Sequence, residues 1–113
     1  EAPLVPLEKY INALPINNKN LFAMSDDYGV IEVLKKKFSG SCFSFEKTQS
    51  RGYNAEIHYS LSREQWYDEL IPFFSGIEVM KRAKYIVATK SSGIGWYLNL
   101  LYPDKFINVD IIY

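Results

Sequence analysis

The residues whose types and spacing can do chemistry fall in two short stretches. The first is Thr89, Lys90, Ser91, Ser92 and Gly93. It stands between the apolar run Tyr85-Ile86-Val87-Ala88 and a set of apolar residues, Ile94, Tyr97, Leu98 and Leu101, that recur at helical spacing. Small hydroxylic residues at such a junction suit an anion. A helix N-terminus offers N–H groups without intrahelical partners and the positive end of the helix dipole. Ser91 and Ser92 can cap the helix and can also donate hydroxyls to a phosphate. The same residues equally suit an ordinary capped helix that follows a strand. The second stretch is Ser25-Asp26-Asp27, directly after the apolar run Leu21-Phe22-Ala23-Met24. Two adjacent carboxylates at the end of a strand can bind a metal, accept from a ligand's hydroxyl or base, or cap the helix that follows.

Other chemistries find less support. A phospho-aspartate receiver also carries an acidic pair after an early strand, with Ser or Thr and Lys after later ones. It needs a further aspartate at the end of its middle strand, and here Glu46 follows residues 42–45, with no aspartate before Asp68. Neither serine lies in a Gly-x-Ser-x-Gly elbow. Gly93-Ile94-Gly95 is only a fragment of a dinucleotide-binding pattern, and no Walker loop occurs. Cys42 is the one cysteine and His58 the one histidine, which excludes an internal disulfide and argues against a Cys/His zinc site.

The elements that must position these residues follow from apolar periodicity and turn chemistry. Residues 7–14 read as a short helix opened by Pro6 and closed by Pro15 and Asn17-Asn18-Lys19-Asn20. Residues 21–24 read as a strand. Residues 28–38 read as a helix with Val30, Ile31, Val33, Leu34 and Phe38 on one stripe and Lys35-Lys36-Lys37 near its negative end. Cys42-Phe43-Ser44-Phe45 alternates as a strand does, with both phenylalanines on one face. Residues 46–60 read as a long loop holding Lys47, Arg51 and His58. A helix begins at Ser62 and is expected to stop near Leu70, because Pro72 follows. A second helical piece covers residues 76–83. The strand at 85–88, its turn and its helix come next, and residues 106–109 form one more strand. Strands alternating with helices argue an α/β fold, a mainly parallel sheet with helices on both faces, in one domain over residues 1–113. The two chemical turns are expected at one edge of that sheet, because ligands of open α/β sheets bind at the carboxyl ends of strands.

Composition bounds the function. At 48% hydrophobic residues the chain is no disordered segment, and 113 residues can bury a core. Thirteen basic residues balance thirteen acidic ones, so no electrostatic footprint for nucleic acid or an anionic membrane is present. No run of about 18 apolar residues provides a transmembrane segment. No signal peptide is visible, and the opening Glu1-Ala2-Pro3 suggests a piece of a longer protein.

Taken together, the blocks resemble the nucleotide-sugar half of GDP-fucose-dependent fucosyltransferases, above all the α1,6-fucosyltransferases of core fucosylation and rhizobial nodulation. Glu1-Ala2-Pro3-Leu4-Val5-Pro6-Leu7-Glu8-Lys9-Tyr10 is similar to that family's Glu-Ala segment and the Pro-apolar-Glu-x-Tyr helix start after it. Leu21-Phe22-Ala23-Met24-Ser25-Asp26-Asp27 resembles its apolar-Ala-Thr-Asp-Asp strand end, and Tyr85-Ile86-Val87-Ala88-Thr89-Lys90-Ser91-Ser92 its apolar-Val-x-Thr-x-Ser-Ser motif. The stretch from Tyr102-Pro103-Asp104 to Asp110-Ile111-Ile112-Tyr113 is similar too. The resemblance implies a Rossmann-like, three-layer half of a GT-B glycosyltransferase. It implies transfer of fucose from GDP-fucose to a glycan hydroxyl with inversion, with no cofactor and no required metal. The other half of the same enzyme would be a partner, in the Golgi lumen of a eukaryote or the cytoplasm of a bacterium. Glu1 and Tyr10 match positions near the nucleotide and the sugar, Ser91 and Ser92 the phosphate-binding turn, and Asp26 and Asp27 the family's acidic pair. Two departures stand out. An ungapped match puts Gly76 where the family has an acidic residue, with Glu78 nearby. The family's basic His-x-Arg-Arg motif is expected just before Glu1, so this piece alone is expected to be inactive. A GT-B domain for another nucleotide sugar, or a degenerate sugar- or nucleotide-binding module, are the alternatives.

Overall fold

The computed structural model describes residues 4–15, 20–46, 56 and 59–110. The chain divides into two compact units, a middle unit within residues 19–79 and a terminal unit within residues 1–18 and 80–113. The architecture is mixed, with helices joined to short parallel strands.

The middle unit is a βαβ crossover. Strand β1 is Leu21–Phe22, helix α2 is Tyr28–Lys37 and strand β2 is Cys42–Phe43; helix α1 precedes them in the other unit. The strands are parallel, with Leu21 opposite Cys42 and Phe22 opposite Phe43. The Ala23 N–H carries the ladder one step further, to the Phe43 carbonyl at 2.9 Å. The apolar stripe expected on α2 is the one that packs: Ile31 and Leu34 are buried together with Ala23, Cys42 and Ile77. Burial lifts the Cys42 thiol above its ordinary value, with Lys35 opposing, so the cysteine serves as a small apolar core residue. Gly40, at φ 75°, supplies the left-handed turn after α2 that lets Ser41 N–H reach the Phe38 carbonyl at 2.9 Å.

Helix α3 spans Arg63–Arg82 without a break, where the sequence predicts two pieces. Ser62 starts it with a capping box. The Gln65 N–H donates to Ser62 Oγ at 3.2 Å, and Gln65 Oε1 accepts from the Ser62 N–H at 2.8 Å. Pro72 removes one backbone donor, to the carbonyl of Asp68 four residues back. Asp68 lies on the exposed side, where water can take that acceptor, and the turn beyond Pro72 buries Gly76 and Ile77. Burial on the far side of the proline outweighs its local preference to stop.

The terminal unit holds α1, Leu7–Ala13, which packs on strand β3, Ile86–Ala88. Helix α4, Gly93–Leu101, and a 3-10 turn, Pro103–Lys105, lead to strand β4, Phe106–Asn108. Strand β4 runs parallel to β3, with Ile86 opposite Phe106 and Ala88 opposite Asn108. Ile86, Leu98 and Val109 are its buried apolar residues. Lys105 Nζ closes the last turn of α3 by donating to the carbonyls of Lys81 at 2.6 Å and Ala83 at 2.8 Å. The sequence predicts a single sheet; among the described residues there are instead two separate two-stranded ladders, β1–β2 and β3–β4. Strands of two or three residues pair here with one neighbour each, and each pair is closed by its own crossover helix. The long loop expected at 46–60 lies mostly outside the described residues, and so do its Lys47, Arg51 and His58.

Candidate functional site

The turn from β3 into α4 is built by short-range contacts that follow from its composition. Ser92 is the N-cap: its Oγ accepts from the Gly95 N–H at 3.0 Å and donates to the Thr89 carbonyl at 3.0 Å. Gly95 is the residue this packing cannot change. A Cβ there would collide with the Thr89 carbonyl oxygen and come within 2.7 Å of Ser92 Oγ. Gly93 is different, since a Cβ at that position meets nothing within 4 Å. The amides of Gly93 and Ile94 belong to the first turn of α4, where no intrahelical carbonyl reaches them.

Residues beyond β4 complete the turn. The Ser91 N–H donates to Asp110 Oδ2 at 3.1 Å, and the Ser91 hydroxyl to Asp110 Oδ1 at 2.6 Å. The Lys90 N–H donates to Asn108 Oδ1 at 3.0 Å. From α1, the Tyr10 phenol hydrogen-bonds the Thr89 side chain. Burial raises the Tyr10 phenol above its ordinary value; the bond to Thr89 opposes this, and the Asp110 carboxylate adds to it. Tyr10, Ser91 and Ser92 therefore lie around one turn.

The acidic turn sits on the other ladder, in the middle unit. Asp27 is the N-cap of α2: its Oδ1 accepts from the Gly29 N–H at 2.8 Å. Ser25 Oγ in turn accepts from the Asp27 N–H at 3.1 Å. Asp26 is exposed. The carboxyl of Glu46, after β2, accepts from the Ser25 backbone and is raised above its ordinary value, first by burial and then by the charges of Asp26 and Glu69. Of the capping and ligand roles open to Asp27, the cap is the one it fills here. Glu1 lies outside the described residues. Gly76 is buried, and a Cβ on it would stand 2.8 Å from Met24 Sδ, so any side chain there requires the Met24 side chain to move. Glu78 is two residues further along an unbroken helix, roughly 200° around its axis, and points away from the Gly76 face.

Asp110 is the site residue that the pattern of residues did not single out. Its signal is faint: an acidic residue just past the last expected strand. A cleft of about 460 Å³ between Tyr85 and Tyr102 lies in the same unit, but none of the turn residues lines it. Among the described residues, no helix is long and apolar enough to cross a membrane. No group of three or more His, Cys, Asp or Glu among them is placed to hold a metal ion. Comparison of the chain with protein-family models, curated proteins and solved structures finds no match.

Proposed function

We propose that this chain is the donor-nucleotide domain of a glycosyltransferase, a Rossmann-like half of a GT-B enzyme that moves fucose from GDP-fucose to a glycan hydroxyl with inversion. The observation that carries this reading is Gly93. Gly93 stands at the first position of α4, directly after the Ser92 cap. No crowding within the protein calls for a glycine here, since its missing Cβ would meet only open space. Bare backbone at a helix N-terminus lets a phosphate approach the N–H groups closely. Lys90 is exposed beside it and adds positive charge.

In this reading the diphosphate lies against the first turn of α4. The N–H groups and the dipole favour the charge that grows on the leaving nucleotide as the sugar departs. Ser92 keeps its capping bond and holds the turn in shape, while Tyr10 stands at the sugar side through its bond to Thr89. The basic motif of related enzymes and the glycan acceptor belong to the rest of the enzyme. A non-catalytic nucleotide- or sugar-binding module is favoured by one observation, the buried Gly76 where the family carries an acid.

Titration calorimetry on the full-length protein with GDP, GDP-fucose and UDP tests the proposal. GDP and GDP-fucose are expected to bind more tightly than UDP, and Gly93→Ala is expected to fold normally and lose GDP affinity. Preference for UDP keeps a GT-B domain and removes the fucosyltransferase. Binding of GDP-fucose without turnover on glycan acceptors selects the binding module.

A further inference from the structure

The donors that the β3–α4 turn presents ahead of its helix are already engaged. Both carboxylate oxygens of Asp110 sit on Ser91, one on its N–H at 3.1 Å and one on its hydroxyl at 2.6 Å. Asn108 Oδ1 holds the Lys90 N–H at 3.0 Å and braces the same segment by accepting the Asp110 N–H at 3.2 Å. The backbone delivers Asp110 to this place. Val109 is buried, and its N–H extends the parallel ladder to the Ala88 carbonyl at 3.0 Å. The contact between Asp110 and Ser91 is solvent-exposed, so a ligand can reach it.

We infer that Asp110 is an internal anion that occupies the phosphate donors of the unliganded protein and must leave when a phosphate-bearing ligand binds. This rests on the reading of the turn as a phosphate subsite. A carboxylate and a phosphate want the same N–H and O–H donors, and two like charges at hydrogen-bond range from one serine repel. The state with Asp110 seated is therefore closed to phosphate, and the affinity measured is the intrinsic affinity reduced by the small fraction of molecules with Asp110 released. Exchange of one anion for the other leaves the Ser92 cap intact. It frees the Ser91 hydroxyl to donate to the ligand, which divides the two serines into a ligand and a structural cap.

The test is calorimetric titration of the full-length protein and its Asp110→Asn and Asp110→Ala variants with GDP, pyrophosphate and guanosine, with thermal melting alongside. Asn fills the same space and keeps an oxygen for Ser91, so it carries the test if the Ala variant fails to fold. Asp110→Asn is expected to bind GDP and pyrophosphate about ten-fold more tightly than wild type, as loss of a competing charge-assisted bond predicts. Guanosine, which has no phosphate, is expected to bind all variants alike. Equal or weaker binding of GDP by Asp110→Asn overturns the inference and leaves the phosphate subsite standing. A guanosine gain equal to the GDP gain also overturns it. If neither wild type nor variants bind GDP or pyrophosphate, the phosphate subsite itself fails, and the internal anion with it.

Discussion

In both units a helix joins two parallel strands, a side chain from the preceding turn caps that helix, and a carboxylate from beyond the second strand docks on the turn. In the middle unit the cap is Asp27 and the docked group is Glu46, which accepts from the Ser25 backbone. In the terminal unit the cap is Ser92 and the docked group is Asp110, which accepts from Ser91. The difference is charge. Asp26, Asp27 and Glu46 stand at the first turn, and burial first, then the charges of Asp26 and Glu69, raise Glu46. The second turn has a neutral cap and one carboxylate. A further anion meets strong repulsion at the first turn and needs to displace only Asp110 at the second. On the proposed reading, shared topology does not give a shared site: the charge of the cap decides which helix N-terminus suits a phosphate.

Three sets of variants break or sharpen this contrast. The largest effect is expected from Gly95→Ala, whose new Cβ collides with the Thr89 carbonyl, while Gly93→Ala meets open space. Gly95→Ala should lose about 3 kcal/mol of stability in urea titration, as overpacking against fixed backbone does. Gly93→Ala should keep or slightly gain stability. Equal losses at both positions would show that the two glycines do not differ as their surroundings require.

The caps come next. Asp27→Ala and Ser92→Ala should each cost about 1 kcal/mol, whereas Asp27→Asn and Ser92→Gly should cost only a few tenths, because Asn and Gly serve as caps. Asp27→Asn should leave GDP affinity unchanged. A loss of affinity there, with the melting temperature unmoved, would return the middle turn to the ligand site.

The smallest effect concerns Glu46. Its folded-state pKa lies above the ordinary value, so the folded protein holds this proton more tightly than the unfolded chain does. Its favourable contribution is complete at low pH and disappears as pH rises through the raised value, so at neutral pH the ionised group opposes folding. Glu46→Gln should therefore melt slightly higher than wild type at pH 7, and the two should converge below about pH 4, where an ordinary glutamate is protonated. A variant that melts lower at neutral pH would show that the hydrogen bond from Ser25 outweighs burial and the charges of Asp26 and Glu69.

Much of this organisation is written in neighbouring residues. The apolar spacing of Ile31 and Leu34, the caps at Asp27, Ser62 and Ser92, and the turn at Gly40 each depend on contacts within about four positions, which is the reach of helix periodicity and capping. The continuity of α3 through Pro72 was not legible in this way, because a local stop signal lost to burial of Gly76 and Ile77. Nor was the closed space at Gly76, which depends on Met24, a residue more than fifty positions earlier. The seat of Asp110 on Ser91 is the clearest case. The two are 19 positions apart. What joins them is the register of β4 beside β3, and a strand of three residues carries no pattern in its own sequence that names its partner or its alignment. The caps and the packed stripe of α2 followed from the sequence itself, because short-range hydrogen bonds and periodic burial need only local residues. Which donors of the turn are occupied, and by which carboxylate, was decided by strand pairing, because only that pairing carries residue 110 to residue 91.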